Sequence, residues 1–504
     1  MTSRTDPTAD VLVIGAGPTG LLLAGDLASA GVRVVLLERR ARESNLTRAF
    51  AVHARTLELL DARSIAEQLL ATGVLVSSAR LFGKARLDLS ALPSRFPGVL
   101  VTPQYETERV LEERAVKLGA EIRRGTEVVG LRQDADGVEV DVRTRTTDDP
   151  SGDASGSGGT ATLRARYVVG ADGVHSTVRQ TLGIPFPGKS VLRSVMLADV
   201  RLAAPPREMP AFNSVAEGIC LVLPFGDGWY RIIAWERDSD VAADAPVELE
   251  DLRAITRAAF GSDFGAHDAR WTSRFHSDER QVPRYRDGRV FLAGDAAHVH
   301  SPAGGMGMNA GMQDAANLGW KLAAVLAGRA DDALLDTYHD ERHPVGAMVV
   351  RLSGAILRGA VTDSTVVRGL RRGAAVAFRY VPRLTRRPAL LVSGLGIRYP
   401  APPGAHPLTG SRAPDLPLVE VPDGPTRLYE ALRAGLYVRV LPRGAAPRDP
   451  VAERETDVVT VTRADARQQS LLVRPDGYVA WASDDGATGP VPMPTAGAGP
   501  LSRV

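Results

Sequence analysis

Cysteine is all but missing, since the 504 residues contain only Cys220. A single thiol excludes an intrachain disulfide, a dithiol redox pair and a metal centre built on several cysteines, and it agrees with a reducing, cytoplasmic setting. Set in an apolar strand-like run, it reads as a small buried hydrophobe. Aromatic residues are scarce at 5%, and no excess of one charge exists, because 61 Lys and Arg offset 59 Asp and Glu to leave +2. So balanced a chain, so poor in stacking side chains, gives no reason to expect a nucleic-acid partner. Long hydrophobic runs are missing too. The segment 11–23 is apolar but broken by Gly, Pro and Thr, which fits neither a signal peptide nor a membrane span, so no membrane partner is expected. No metal-ligand cluster and no Ser-His-Asp set is apparent. At this length one core does not suffice, and two or three domains are expected.

Glycine, by contrast, is abundant at 50 residues, and three groups of it stand beside acids in a fixed order. The first is Gly15-Ala-Gly17-Pro-Thr-Gly20, after the strand-like run Val11-Leu-Val-Ile14 and before a helical stretch over 21–30 closed by Gly31. In such a turn Gly15 permits the tight bend, Gly17 lets the backbone approach a pyrophosphate, and Gly20 lets helix and strand pack closely. The helix N-terminus then offers its N–H groups to the anion. A second apolar strand over 32–37 ends at Glu38, where a carboxylate is placed to accept hydrogen bonds from an adenosine ribose.

The other two groups decide which dinucleotide this is. Tyr167-Val-Val-Gly-Ala-Asp172-Gly173 is a strand delivering an acid and a glycine to its tip, and Arg289-Val-Phe-Leu-Ala-Gly294-Asp295 is another. An acid at a strand tip can accept from a ribitol hydroxyl, a group that FAD has and NAD lacks. Beyond Pro302-Ala-Gly-Gly-Met-Gly307-Met-Asn309 a helix begins near Gly307, with Met312, Ala315, Ala316, Gly319, Leu322 and Leu326 on one face, and Gly328 stops it. Its first amides point to the flavin edge where negative charge gathers on reduction. The cofactor read from the three groups together is FAD.

These motifs resemble those of the aromatic-ring flavoprotein monooxygenases with one dinucleotide-binding domain, the group typified by para-hydroxybenzoate hydroxylase and phenol hydroxylase. Within it, the chain is most similar to the actinobacterial enzymes that tailor aromatic polyketides and other polycyclic antibiotics. The likeness runs through residues 9–360 and more loosely beyond. It implies an α/β plus β architecture, a Rossmann-like FAD-binding domain interrupted by an antiparallel-sheet substrate domain, followed by a thioredoxin-like C-terminal domain. It also implies residue roles. Thr19 and Asp172 would lie by the pyrophosphate, Glu38 would hold the ribose, Arg39 would lie over the adenine and Val128 would touch it through its backbone. Gln104 would meet the middle of the cofactor and Asp295 the ribitol, while Pro302, Gly307, Met308 and Asn309 would wrap the isoalloxazine.

The expected organisation is discontinuous: an FAD domain from 1–183 and 276–360, a β-rich insert over 184–275, a helical connector over 361–407 and a C-terminal domain over 408–504. Residues 1–8 read as a mobile leader and 143–162, rich in Gly, Ser and Asp, as a flexible hairpin insertion. In the insert, 193–200, 218–225 and 229–235 read as antiparallel strands, the last two joined at Gly226-Asp-Gly228. Met196, Tyr230 and Trp235 are the candidate wall of an aromatic-substrate site. Arginines recurring over 351–387 (Arg368, Arg371, Arg372, Arg386 and Arg387 among them) read as a solvated helix face. The tail reads as strands at 458–461, 471–473 and 478–481, and the run Val473-Arg-Pro-Asp-Gly-Tyr-Val-Ala-Trp481 is similar to one in the phenol hydroxylase branch. Without cysteine, that domain has no thiol redox role and is expected to serve as structure or interface.

The resemblance further implies the chemistry: NADPH, or less favourably NADH, reduces FAD, oxygen adds at C4a, and the hydroperoxide is attacked by an electron-rich aromatic carbon. The protein orients, excludes water and sets charge. No second Gly-x-Gly-x-x-Gly unit exists, so the nicotinamide coenzyme would meet the flavin transiently at the surface. The expected partners are thus an aromatic small molecule and O2, on a monomer or homodimer. The five tryptophans include no Trp-x-Trp pair of the halogenase type. Baeyer-Villiger oxygenation and non-enzymatic sequestration of an aromatic antibiotic stay open. Arg48 and His53 are the candidate catalytic side chains, a permanent cation beside the flavin and a proton carrier near neutral pH; Arg55 is equally readable as structural. Substituting Arg48→Ala is expected to leave FAD bound but to divert NADPH electrons to peroxide; product formed with full coupling removes Arg48 from the mechanism.

Overall fold

The computed structural model describes residues 8–42, 49–82, 85–144, 159–207, 209–225, 228–237, 239, 241–242, 245–362, 369, 373, 383–445 and 458–484. Arg48, most of the leader and of the 143–162 insertion, Gly226, and Arg368, Arg371 and Arg372 lie outside the described residues.

The apolar run at 11–14 forms the buried strand Ala9–Ile14, which pairs in parallel with Val34–Leu37 on one side and with Thr160–Gly170 on the other. Val290–Leu292 extends the row in parallel and Glu121–Arg123 closes its far side. Register carries the functional meaning. Ile14 stands opposite both Leu37 and Gly170, and Gly170 stands opposite Leu292. Four strand tips therefore end on one line, and the residues after them (Gly15, Glu38, Ala171 with Asp172, and Gly294 with Asp295) share one edge of the sheet. Thr160–Gly170 is long enough to serve two neighbours, since its first half also pairs antiparallel with Val138–Thr144.

Two helices start at this edge. Pro18–Ser29 ends before Gly31, whose φ is +77°, and Gly307–Leu326 ends before Gly328, whose φ is +71°, so both stop where glycine predicts. The following helix, Asp336–Val361, buries Tyr338, Arg342, Val345, Val349 and Leu357. Among the described residues, the stretch containing it is the one helix long and apolar enough by composition to cross a membrane, yet its fully buried Arg342 is spent on contacts inside the fold.

The insert is one antiparallel sheet in the order Ala211–Ser214, Gly218–Pro224, Tyr230–Glu236, Gly188–Leu202, Ala266–Gln281, His298–Val299. It runs on to Gln281, past the 275 expected from sequence, because a single sixteen-residue strand carries the chain back to the first sheet. Helix Leu249–Phe260 covers one face through Met196, Ala198, Cys220, Val222, Ile232 and Ala234. The lone thiol is buried, as its apolar context predicts, and its Sγ lies 3.5 Å from Thr256 Oγ1. The C-terminal domain is a four-stranded sheet in the order Val458–Thr462, Tyr437–Leu441, Ser470–Val473, Val479–Ser483, the first pair parallel and the rest antiparallel. Its core of Leu416, Leu428, Leu432, Val438 and Val440 also takes in Ala62 from the first domain.

A methyl group placed at Gly20 meets the Gly15 carbonyl oxygen at 2.0 Å, backbone that cannot step aside. Gly20→Ala is expected to cost about 1–3 kcal/mol and to strip bound flavin; thermal unfolding and the flavin-to-protein absorbance ratio check both.

Candidate active site

The glycine turn is built as its spacing requires. Gly15 has φ +106°, and a Cβ there would sit 2.5 Å from Ala171 O, so the first and second motifs touch through backbone. At Gly17 a Cβ would meet nothing within 4 Å, and no side chain caps the helix that starts there. The result is an open patch lined by helix-terminal amides, fit for an anion. Thr19 faces inward, because Cβ atoms at Gly294 and Gly311 would approach its Oγ1 to 2.7 and 2.3 Å; it fills the junction between helices Pro18–Ser29 and Gly307–Leu326.

Glu38 is 4% exposed and already engaged. Its Oε2 accepts the Ala16 N–H at 2.8 Å, and its Oε1 accepts the Arg40 N–H at 3.0 Å and Nε at 2.9 Å. Burial works against its charge, but these donors overcome it and hold the carboxyl below its ordinary range. Arg39 is exposed, and Arg40 is the arginine that turns back onto Glu38. The Glu38 carbonyl accepts the Thr126 N–H, which sets Val128 two residues further along the same strand. Gln104 accepts the Ala49 N–H at 3.2 Å and donates to Glu108 Oε1 at 2.8 Å. Glu108 is pushed up to about 7 by burial, only partly offset by Gln104 and Arg40. Neither Arg40 nor Glu108 stands out in the sequence.

One of the acid loops holds a buried carboxylate oxygen without a partner. Asp172 Oδ2 accepts the Val178 N–H at 3.2 Å, while Oδ1 is buried with no partner, and burial raises the carboxyl above its usual value. Arg179 ties this loop to the next by donating to Val174 O at 2.8 Å and Ala296 O at 3.1 Å. Asp295 stands exposed at the edge. Beneath it the fully buried Asp314 accepts the Gly294 N–H at 3.1 Å and Arg342 Nε at 2.7 Å and lies 2.7 Å from His298 Nε2. Arg342 also donates to Ala310 O at 3.0 Å. One carboxylate thus fixes the acid loop, the loop after it and the helix. The clue in the sequence is that Asp314, Asn317 and Lys321 recur at helical spacing among the apolar residues of this stretch.

At the other end, no side chain caps helix Gly307–Leu326, whose first residues are Gly307, Met308 and Asn309. The Asn309 side chain is consumed internally: Oδ1 accepts the His53 N–H, and Nδ2 donates to Ala51 O and Gly305 O, each at 2.8 Å. Only its backbone is left to face a ligand. His53 is 2% exposed at a helix start, with Nδ1 2.5 Å from Val392 O and its ring against Gly304 and Gly305. Desolvation drives its pKa down to about 4, so it is neutral at physiological pH and does not titrate near 7 as expected from its type. Arg55 is structural: fully buried, it donates to Glu58, Tyr429 and the Asp476 carbonyl.

Between this end and the inserted sheet lies an apolar cavity of about 230 Å³. Its walls are Phe50, Val101, Ile219, Leu221, Ile233 and Trp235, with Pro302 to Gly305 and His53 at one side. Trp235 lines this cavity. Met196 and Tyr230 do not: they pack on the helix-covered face with Cys220 and Ala234. The reason is the two-residue period of a strand, which puts Tyr230 with Ile232 and Ala234, and Ile233 with Trp235.

A family model described as an FAD binding domain matches residues 8–353, and one described as the C-terminal part of aromatic-ring hydroxylases matches 406–496. The chain belongs to the FAD-binding aromatic-ring hydroxylase family. It is an FAD-dependent monooxygenase. It is 41% identical to the 12-dehydrotetracycline 5-monooxygenase/anhydrotetracycline 6-monooxygenase of Streptomyces rimosus over 94% of this chain and 95% of that one. It is 39% identical to a rifampicin monooxygenase of Streptomyces venezuelae, covering 94% and 96%. The solved structure of OxyS anhydrotetracycline hydroxylase from Streptomyces rimosus superposes with a TM-score of 0.83 at 41% identity, over 95% of this chain and 96% of that one.

Both His53 and His300 have pKa values lowered to about 4 by desolvation, against an ordinary 6.5. Between those values the unfolded chain binds more protons, so stability is full above about 6.5 and falls as pH drops toward 4. His53→Asn should therefore narrow the stability gap between pH 7 and about 4.5; urea unfolding at the two pH values measures it.

Proposed function

We propose that this enzyme is an NAD(P)H- and O2-dependent hydroxylase of a polycyclic, polyketide- or antibiotic-type aromatic, using oxygen activated at the flavin C4a position. The observation that carries the reading is the cavity: about 230 Å³, almost wholly apolar, and closed on one side by the Pro302 to Gly305 loop that leads into the cofactor helix. A dry apolar cavity of roughly 150 Å³ holds one benzene ring. The larger space suits a fused-ring system, and the tetracycline and rifampicin chemistry of the named relatives lies in the same class.

FAD would be held along the strand-tip edge. Gly15, Gly17, Thr19 and Gly20 make the pyrophosphate turn, Glu38, Arg39 and Val128 the adenosine end, and Gln104, Asp172 and Asp295 the middle. Pro302, Gly307, Met308 and Asn309 form the ring end. The open Cβ direction at Gly17, the partnerless Asp172 Oδ1 and the uncapped Gly307 helix support that assignment. Bound there and reduced by NAD(P)H, the flavin supplies an electrophilic oxygen from O2. The chain's own residues do the rest. The apolar walls exclude water, Trp235 offers a flat face to the substrate, and the uncapped helix favours negative charge on the reduced ring. His53 stays neutral and keeps the Gly304–Gly305 backbone in place. Arg48 remains a candidate flavin-side cation. The C-terminal strand order, one parallel pair followed by an antiparallel hairpin, supports a thioredoxin-like fold there.

The test is direct. Purified protein should be yellow and should oxidise NADPH faster when given tetracyclic or angular polycyclic phenols. Mass spectrometry should show a gain of one oxygen in the product. Lactone formation from a ketone would make it a Baeyer-Villiger oxygenase, and no oxygenated product from any member of the panel would overturn the reading.

A further inference from the structure

The turn Arg474-Pro-Asp476-Gly-Tyr478 of the C-terminal domain sits far along the chain from every cofactor motif, yet it is buried against Arg55 and against the helix that follows the third motif. Asp476 is 2% exposed. Its carbonyl accepts Arg55 Nη2 at 2.5 Å, and its Oδ2 accepts Asn317 Nδ2 at 3.2 Å. Arg55 lies two residues after His53, whose N–H donates to Asn309; Asn309 and Asn317 are two turns apart on the same helix. The contacts therefore form a closed ring running Asp476, Arg55, His53, Asn309, Asn317 and back to Asp476. Space is tight along it, since a Cβ at Gly477 would meet Arg55 Nη2 at 2.9 Å.

A second arm reinforces the first. Tyr478 stacks on Tyr399 with ring centres 4.0 Å apart, and Tyr399 OH accepts Arg342 Nη1 at 3.3 Å, the same arginine that holds Asp314 under the Gly294 loop. Arg474 pairs with Glu341, which also takes Asn317 at 2.6 Å and the buried Lys321 at 2.9 Å. The helix face carrying Ala310, Asp314, Asn317 and Lys321 is thus a buried polar stripe held by Arg342, Glu341 and Asp476.

We infer that Asp476 and Asn317 are positioning residues for the flavin: the C-terminal domain closes the cofactor cradle from behind, and the alignment of helix Gly307–Leu326 with the 51–55 segment depends on it. The inference rests on the FAD cradle proposed above. A domain that merely adhered would need no polar contact to both halves of the cradle at one residue. Here one buried aspartate supplies both.

The full-length protein, stripped of flavin and titrated with FAD, tests this with Asp476→Asn, which keeps shape and the carbonyl to Arg55 but not the acceptor charge. Dissociation constant, the share of NADPH electrons lost to hydrogen peroxide and the apoprotein thermal midpoint are all read. FAD binding is expected to weaken about ten-fold and peroxide release to rise several-fold. Asn317→Ser should shift both readouts in the same direction, and the double variant should cost less than the sum of the two, because the side chains share one contact although Asp476 also binds Arg474 and Asn317 also binds Glu341 and Lys321. A lowered thermal midpoint with wild-type FAD affinity and wild-type coupling overturns the inference and leaves Asp476 as domain adhesive only. If Asp476→Asn fails to fold, Asn317→Ser carries the same decision. Wild-type protein that binds no FAD would instead break the cradle assignment itself.

Discussion

Register is the constraint on which the site depends. Because Ile14 faces Leu37 and Gly170, and Gly170 faces Leu292, strands remote in sequence end level, and whatever follows each tip is delivered to one edge. A slip of one residue in any pair would exchange the two packed faces of that strand and withdraw its loop from the row. The tight contact of Gly15 with Ala171 is a direct product of this alignment, since two loops leaving adjacent strands at one level must pass within van der Waals distance. Glycine at 15 is thus as much a packing requirement as a conformational one.

Much of this edge was legible in the chain alone. Strand, glycine turn, helix and acid follow one another with fixed spacing around 11–38, and the two later strand-acid pairs have the same grammar, so the cofactor end of the fold was readable from local pattern. What local pattern does not carry is partnership over distance. Asp314 carries no local sign of its role, because Arg342, His298 and the Gly294 amide that satisfy it come from other elements. Arg40 and Glu108 were hidden likewise, one beside a more conspicuous arginine and the other in an ordinary charged helix. Asn309 was placed at the flavin end, but the structure shows its side chain occupied by the backbone of 51–53.

The substrate side shows a different kind of gap. Tyr230 and Trp235 were both read as wall residues although they stand five apart on one strand, an odd separation that puts them on opposite faces. Alternation alone separates them. It does not say which face looks into the cavity, because both are apolar; that is decided by where helix Leu249–Phe260 lies. The expected insert boundary at 275 fell short for a similar reason, since a long polar-looking strand continues to pair wherever its neighbour does.

The inserted sheet keeps its two duties on separate sides. Met196, Ala198, Val222 and Ala234 bind it to its covering helix, whereas Ile219, Leu221, Ile233 and Trp235 meet the cavity. Side chains on the second set can change in bulk or outline while the first set goes on holding the sheet together. A scaffold so divided lets the shape of the accepted molecule drift freely under selection, and it separates what the catalyst recognises from what keeps it folded.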